Sequence, residues 1–179
     1  MESGKNQHNS YFKFFAMIGT SMVVMFLLTY LESYRIIEHF WFSETRLFVV
    51  FMMGGAMIII MLSYMLNMYK NKKLNIGIII GGGLLIIIGV WLVRSQTTVD
   101  DVDYMEAMIP HHSIAILTSE NSMIEDARVR ELADEIIKAQ RREIKEMEWL
   151  INDIRKNGLL KTKTEAERRP VPEFEGRLN

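Results

Sequence analysis

Three apolar runs, at about 12–31, 47–68 and 74–93, fill most of the first half of the sequence and constrain the fold more than any other feature. Each is about twenty residues long, enough for a helix rising 1.5 Å per residue to cross a hydrocarbon layer of about 30 Å. The first is interrupted only by Lys13 and is followed by Glu32, Ser33, Tyr34 and Arg35, with no small-residue cleavage pattern. It reads as a retained anchor and not as a removable leader. The expectation is an all-α chain: a polar tail over 1–11 with Met1–Ser10 unstructured, a three-span anchor over 12–94, a helical hairpin over 98–158 and a polar tail over 159–179.

The connections add detail. The first, Glu32 to Arg46, holds Tyr34, Phe40, Trp41 and Phe42, residue types of a membrane interface, with His39 beside Glu38. His39 is either incidental to that aromatic belt or faces the polar domain from the same side of the membrane. In the second span Met53, Met57, Met61 and Met65 recur at i+4, a thioether stripe that reads first as packing. In the third, Gly77 and Gly81 form a small-xxx-small pair and Gly82, Gly83 and Gly89 further thin the helix, so that a neighbour, another span or another protomer, is expected to approach closely. Lys5, Lys13, Lys70, Lys72 and Lys73 lie on one side of the spans against Arg35, Arg46 and Arg94 on the other. That bias puts the amino terminus inside and the polar domain outside, in the periplasm or beyond the plasma membrane of a bacterium.

The polar domain opens with Thr98 as a candidate N-cap ahead of Asp100 and Asp101, starting a helix that runs to about Met123. Pro110 removes a backbone donor inside it, at a cost of about 3 kcal/mol in an ordinary helix, and should bend it. Glu125-Asp126 makes the turn, Asp126 caps a second helix, and Asn157-Gly158 stops it. Along that helix Leu132, Ile136, Gln140, Glu143, Met147, Leu150 and Ile154 recur at spacings of three and four, a seam broken by two polar residues that need partners. An antiparallel fold-back about residue 125 sets His112 near Lys138 and Gln140, Met108 near Glu143, and Met105 near Met147, within about one turn. Met105, Met108 and His112 share a face of the first helix, whereas His111 is turned away by about 100°. A two-helix hairpin has little core, so pairing into a four-helix bundle, as a homodimer or higher homo-oligomer, is expected.

Composition then narrows the chemistry. The net charge is −1, and from Arg94 onward 18 Asp and Glu outnumber 14 Lys and Arg, which argues against a nucleic-acid partner. With no cysteine there is no disulfide, thiolate metal site or cysteine nucleophile. Soft-metal chemistry falls to the 14 methionines and the histidines. Thioethers select Cu(I) and imidazole serves several metals, so a Met/His set outside a membrane points to copper, Cu(I) favoured. Packing methionines and hydrogen-bonded structural histidines are the alternative. Glu106 and Glu120 could add oxygen ligands but read more simply as solvent-facing. The Glu-x-x-His pairs of di-iron bundles, a Ser-His-Asp grouping and a phosphate loop are absent.

The run Asp103-Tyr104-Met105-Glu106-Ala107-Met108-Ile109-Pro110-His111-His112-Ser113-Ile114-Ala115-Ile116, with Ala133 to Met147 downstream, resembles the bacterial domain of unknown function 305. Its copper-binding members are known as CopM-like proteins, and the three preceding spans resemble a membrane-anchored branch. The resemblance implies an exported ferritin-like four-helix bundle that binds copper for tolerance or storage. By position it implies the ligands Met108, His111, His112, Glu143 and Met147. A second tier is Met105, Gln140, Asp103, Glu120 and His39. Where many members carry a methionine six residues after the second histidine, this chain has Thr118. The expected function is thus a non-enzymatic copper-binding protein of the inner membrane. Its rivals are a structural or signalling module whose hairpin is a dimerisation device, and a metal-dependent oxidoreductase.

Overall fold

The computed structural model describes residues 2–178, with side chains from Asn9 onward. Among the described residues all regular structure is helical, and the chain forms two compact units.

The first unit comprises 1–29 and 44–98 and holds α1 (Glu2–Leu28), α2 (Glu44–Tyr64) and α3 (Lys72–Ser95). All three are long and apolar enough to cross a membrane, α1 over Asn9–Leu28. The tail expected to lack structure instead continues α1 back to Glu2. Asn71 caps α3 by accepting from the Leu74 N–H, and Gln96 ends it in the left-handed conformation. Glycines set the approach of α2 and α3, though not the pair expected from spacing. A Cβ on Gly55 would sit 2.6 Å from the Gly82 carbonyl oxygen and one on Gly82 2.9 Å from that of Gly55. Only hydrogen fits there, whereas Gly77 and Gly81 meet nothing within 4 Å. The reason is angular: Gly82 lies about 100° round the helix from Gly81, and packing selects one line out of several glycine-bearing ones. Met57, Met61 and Met65 pack against the buried cluster of Tyr11, Phe14, Ile18, Leu62, Tyr69 and Ile78, while Met53 is 46% exposed. Thioethers here are filler for a helical interface. One buried polar contact of this unit is Tyr11 donating to Asn75 Oδ1 at 2.6 Å, with Asn75 donating to the Tyr69 carbonyl at 2.8 Å.

The second unit comprises Tyr30–Ser43 and Val99–Asn179. It holds α4 (Asp101–Asn121), α5 (Ala127–Asn157) and the short α6 (Lys163–Glu167). The N-cap of α4 is Asp100, not Thr98. Its carboxylate accepts from the Val102 and Asp103 amides while Asp103 reaches back to the Asp100 N–H, a capping box. The helix runs on through Pro110 to Asn121. Asp126 caps α5 and Gly158, at φ 79°, ends it. The two helices pack through Met105, Ile109 and Ile116 of α4 and Ile137, Ile144, Met147 and Ile151 of α5.

This core line differs from the seam read from sequence. α5 carries two neighbouring apolar lines that share Gln140 and Met147. Ala133, Ile137, Ile144, Met147 and Ile151 are buried. Leu132 is 56% exposed, and Ile136, Leu150 and Ile154 are half-buried. Both lines have spacings of three and four, so periodicity alone does not choose between them.

Two further segments complete the unit. Residues 30–43 close on themselves, Tyr30 accepting from the Ser43 N–H at 3.1 Å with its ring 4.3 Å from Phe40, and lay Tyr34 and Trp41 against the hairpin core. Residues 159–178 form an arm along α5: Arg169 pairs with Asp153 at 2.8 Å, Lys145 donates to the Glu175 carbonyl and Arg141 to that of Arg177.

Candidate functional site

Each helix of the hairpin presents flanks on either side of its core line, about 40–120° away from it. On one flank α4 shows Glu106, Pro110 and Ser113, and α5 shows Arg141, Glu148 and Arg155. On the other α4 shows Asp101, Met108 and His112, and α5 shows Leu132, Ile136, Glu143, Leu150 and Ile154.

Residues 30–43 seal the first flank. Ser113 Oγ accepts the Tyr34 N–H at 2.7 Å and lies 2.8 Å from His39 Nδ1. With the hydroxyl oxygen taking the amide, its own hydrogen goes to His39 Nδ1, which assigns the ring as neutral with its hydrogen on Nε2. His39 is 7% exposed, and burial, the largest influence, holds its pKa below the ordinary value; Glu38 opposes this and Arg35 adds to it. Glu106, nearly buried, pairs with Arg155, whose guanidinium lies 5.8 Å from the Trp41 ring centroid. Arg141 pairs with Glu120 and sits 5.7 Å from the Tyr34 ring centroid.

The second flank carries the histidine of interest. His112 Nδ1 lies 2.9 Å from the Met108 carbonyl oxygen and Nε2 lies 2.8 Å from Glu143 Oε2. The His112 side chain is 12% exposed and that of Glu143 37%. Both ring nitrogens therefore face oxygen atoms, the Met108 carbonyl on one side and the Glu143 carboxylate on the other. Fold-back about residue 125 sets Gln140 or Lys138 opposite His112; the partner is Glu143, about one turn further on, because the hairpin turn is asymmetric about its midpoint. Gln140 keeps its Oε1 buried without a hydrogen-bond partner among the described residues. A buried amide oxygen left unpaired is costly, and it sits one turn from Glu143.

The remaining candidates separate. Met105 and Met147 are buried in the core cluster and line one cavity with Tyr104, Leu150 and Ile154. Met108 packs on the edge of that cluster. His111 is exposed, its ring 6.0 Å from that of His112 and inclined at 69°. Asp103 belongs to the capping box, Glu120 to Arg141 and His39 to Ser113, so these three are engaged elsewhere. Thr118 bonds back to the Ile114 and Ala115 carbonyls. Among the described residues no three His, Asp or Glu side chains converge as a metal-holding group. What the hairpin presents is a His–Glu pair with an orphaned amide oxygen and thioethers around it. Sequence reasoning passed over Ser113; the signal was a small polar residue interrupting the Ile109–Ile116 line directly after the histidines.

An uncharacterized protein of Acanthamoeba polyphaga mimivirus is 29% identical over 144 residues, covering 76% of this chain and 95% of that protein. A match of that extent does not fit within 96–179, so it takes in part of the apolar first half of the chain as well as α4. No solved structure matches the chain. Residues 96–173, which contain α4, α5 and α6, match the family described as a domain of unknown function 305, and this part of the chain belongs to that family.

Proposed function

We propose that this is a membrane-anchored copper-binding protein whose hairpin lies on the extracytoplasmic side and holds copper for tolerance or storage. The observation that carries the reading is the His112–Glu143 contact. His112 Nε2 and Glu143 Oε2 would hold the metal ion, and the Nδ1 contact to the Met108 carbonyl is the kind of outer contact that fixes the tautomer and orientation of a ligating imidazole. Gln140 Oε1 offers a further oxygen and Met108 a thioether on the adjoining turn; thioether and imidazole together favour Cu(I). His111 points away from this pair and serves a different hairpin.

Two ligands do not fill a coordination sphere. The second apolar line of α5 flanks Glu143 at both ends and stays open, so a second copy laid on this flank buries Leu132, Ile136, Leu150 and Ile154 and brings further ligands to the pair. The positive charges beside the first and second spans support an inside amino terminus. The packing of 30–43 on the hairpin supports three crossings, because it requires the first connection and the hairpin to share a side.

A second reading has its own support. His112 is fully hydrogen-bonded without a metal, which suits a structural polar contact in a dimerisation hairpin. Titration of the full chain in detergent with Cu(I), against a competing chelator, separates the two. The copper reading expects His112→Ala to weaken binding at least about tenfold, a loss of about 1.4 kcal/mol, and His111→Ala to weaken it less. Equal affinity in both variants and the parent chain would leave the structural reading standing alone.

A further inference from the structure

We propose a second, metal-independent site: a pocket between residues 34–39 and α5 that binds a small amino-carboxylate zwitterion with an apolar side chain, of the neutral α-amino acid class. The pocket belongs to the sealed flank. It has a volume of about 310 Å³, an apolar floor of Ile116 and Ile144, and walls that include Tyr34, His39, Lys145 and Glu148.

The argument starts from Glu148. Its carboxylate is half-buried and has no hydrogen bond or ion pair of its own among the described residues. Burial, followed by the charge of Glu38, pushes its pKa up, while Arg35 acts the other way. A half-buried carboxylate that no group of the chain meets is open to a donor supplied from outside the chain. The missing group is a cation, and a protonated amine is the simplest that fits.

A bare amine does not suit the rest of the wall. Arg35, Arg141, Lys145 and Arg177 all line the same pocket and outnumber Glu38 and Glu148. Arg35 and Arg141 are engaged by Glu38 and Glu120, and Arg177 by Glu175. Lys145 donates only to a backbone carbonyl, that of Glu175, at 2.8 Å. One turn of α5 separates Lys145 from Glu148, which places an ammonium and a carboxylate about 5–6 Å apart at their Cβ atoms on one wall. His39 adds its Nε2–H, since Nδ1 is committed to Ser113. The complement is a molecule whose amine meets Glu148, whose carboxylate meets Lys145 and the His39 N–H, and whose side chain rests on Ile116 and Ile144. Charge-assisted hydrogen bonds at both ends give the selectivity, and a pocket of this size encloses a small ligand of that kind.

Matched probes test this on the full chain in detergent by isothermal titration. L-leucine carries both charges, 3-methylbutylamine keeps the amine alone and 4-methylpentanoate keeps the carboxylate alone. Leucine should bind saturably, and each single-charge analogue at least about tenfold more weakly. Glu148→Gln should cost leucine a similar factor while raising the melting temperature of the free protein, because it removes a desolvated charge. Lys145→Met should cost leucine affinity too, and His112→Ala should leave it unchanged, which keeps this site separate from the copper reading. No saturable leucine binding up to about 10 mM, well past the millimolar range of weak sites, would overturn the proposal. So would equal affinity for the three probes, or unchanged affinity in Glu148→Gln.

Discussion

The two flanks of the α4–α5 hairpin have the same helical scaffold and opposite fates. On one, residues 30–43 bring a serine-bridged histidine and Trp41, whose ring meets Arg155 of α5, down onto the core, so the polar groups of α4 find partners within the chain. On the other, an apolar line stays half-covered, a histidine faces a glutamate at 2.8 Å and an amide oxygen has no partner. A polar group paired inside its own chain is part of the fold. A polar group left over beside an uncovered apolar line is available to a ligand or another chain, and for that reason the copper reading is placed there. The sealed flank qualifies the rule, since Glu148 is unpaired within it and marks the pocket proposed for a zwitterion.

The largest effect should come from breaking the sealed flank. Ser113→Ala removes the acceptor of the Tyr34 N–H and the donor to His39 at once. Each buried polar group left unpaired costs about 1–3 kcal/mol. Opening of residues 30–43 should therefore rise at least about thirtyfold, read as faster hydrogen exchange in that segment. If exchange in 30–43 stayed at its original rate, the serine bridge would not be what holds the segment, and the contrast between flanks would lose its basis.

The open flank should respond in the opposite way. Leu132 is 56% exposed, so Leu132→Glu should change the stability of the isolated fold by no more than about 0.5 kcal/mol. In a dimer formed on this flank the same charge would be buried unpaired, and the dissociation constant should rise at least about tenfold. Sedimentation of the detergent-solubilised chain reads both species. An unchanged association constant would place any self-association elsewhere and leave the His112–Glu143 pair to bind its metal within one chain.

Much of this contrast was legible in sequence, and the reasons it was not fully so are local. The three spans, the Asp126 cap and the Gly158 stop follow from length, hydropathy and cap chemistry, which are properties of neighbouring residues. The choice between the two apolar lines of α5 is not local. It depends on which face meets α4, and Gln140 and Met147 belong to both lines. Likewise Gly82 and not Gly81 packs on α2, because the choice of line depends on which face of α3 meets α2. Among candidate ligands, His112 and Glu143 were brought together, but Asp103, Glu120 and His39 each have a partner that spacing does not reveal: a cap amide, an arginine 21 residues away and a serine 74 residues away.

The smallest expected effect is also the one that separates the flanks without a substitution. Burial holds the His39 pKa below its ordinary 6.5, against the pull of Glu38 and with the help of Arg35. The released ring therefore binds a proton more readily than the docked one. Docking of residues 30–43 is complete above about 6.5 and weakens as pH falls from there towards the lower pKa of the docked ring. Glu148 works in the opposite sense. Burial holds its carboxyl above the ordinary 4.5, so its contribution is present below 4.5 and is lost as pH rises through its raised value. Over the range just below 6.5 the histidine dominates, and hydrogen exchange in 30–43 should quicken while exchange in the Ile137–Ile151 core of α5 holds steady. His39→Asn offers Ser113 an amide oxygen in place of Nδ1 and carries no proton of its own to gain, so its profile should be flat over the same range. A profile identical to that of the parent chain would mean that another group, and not the ring on Ser113, governs the sealed flank.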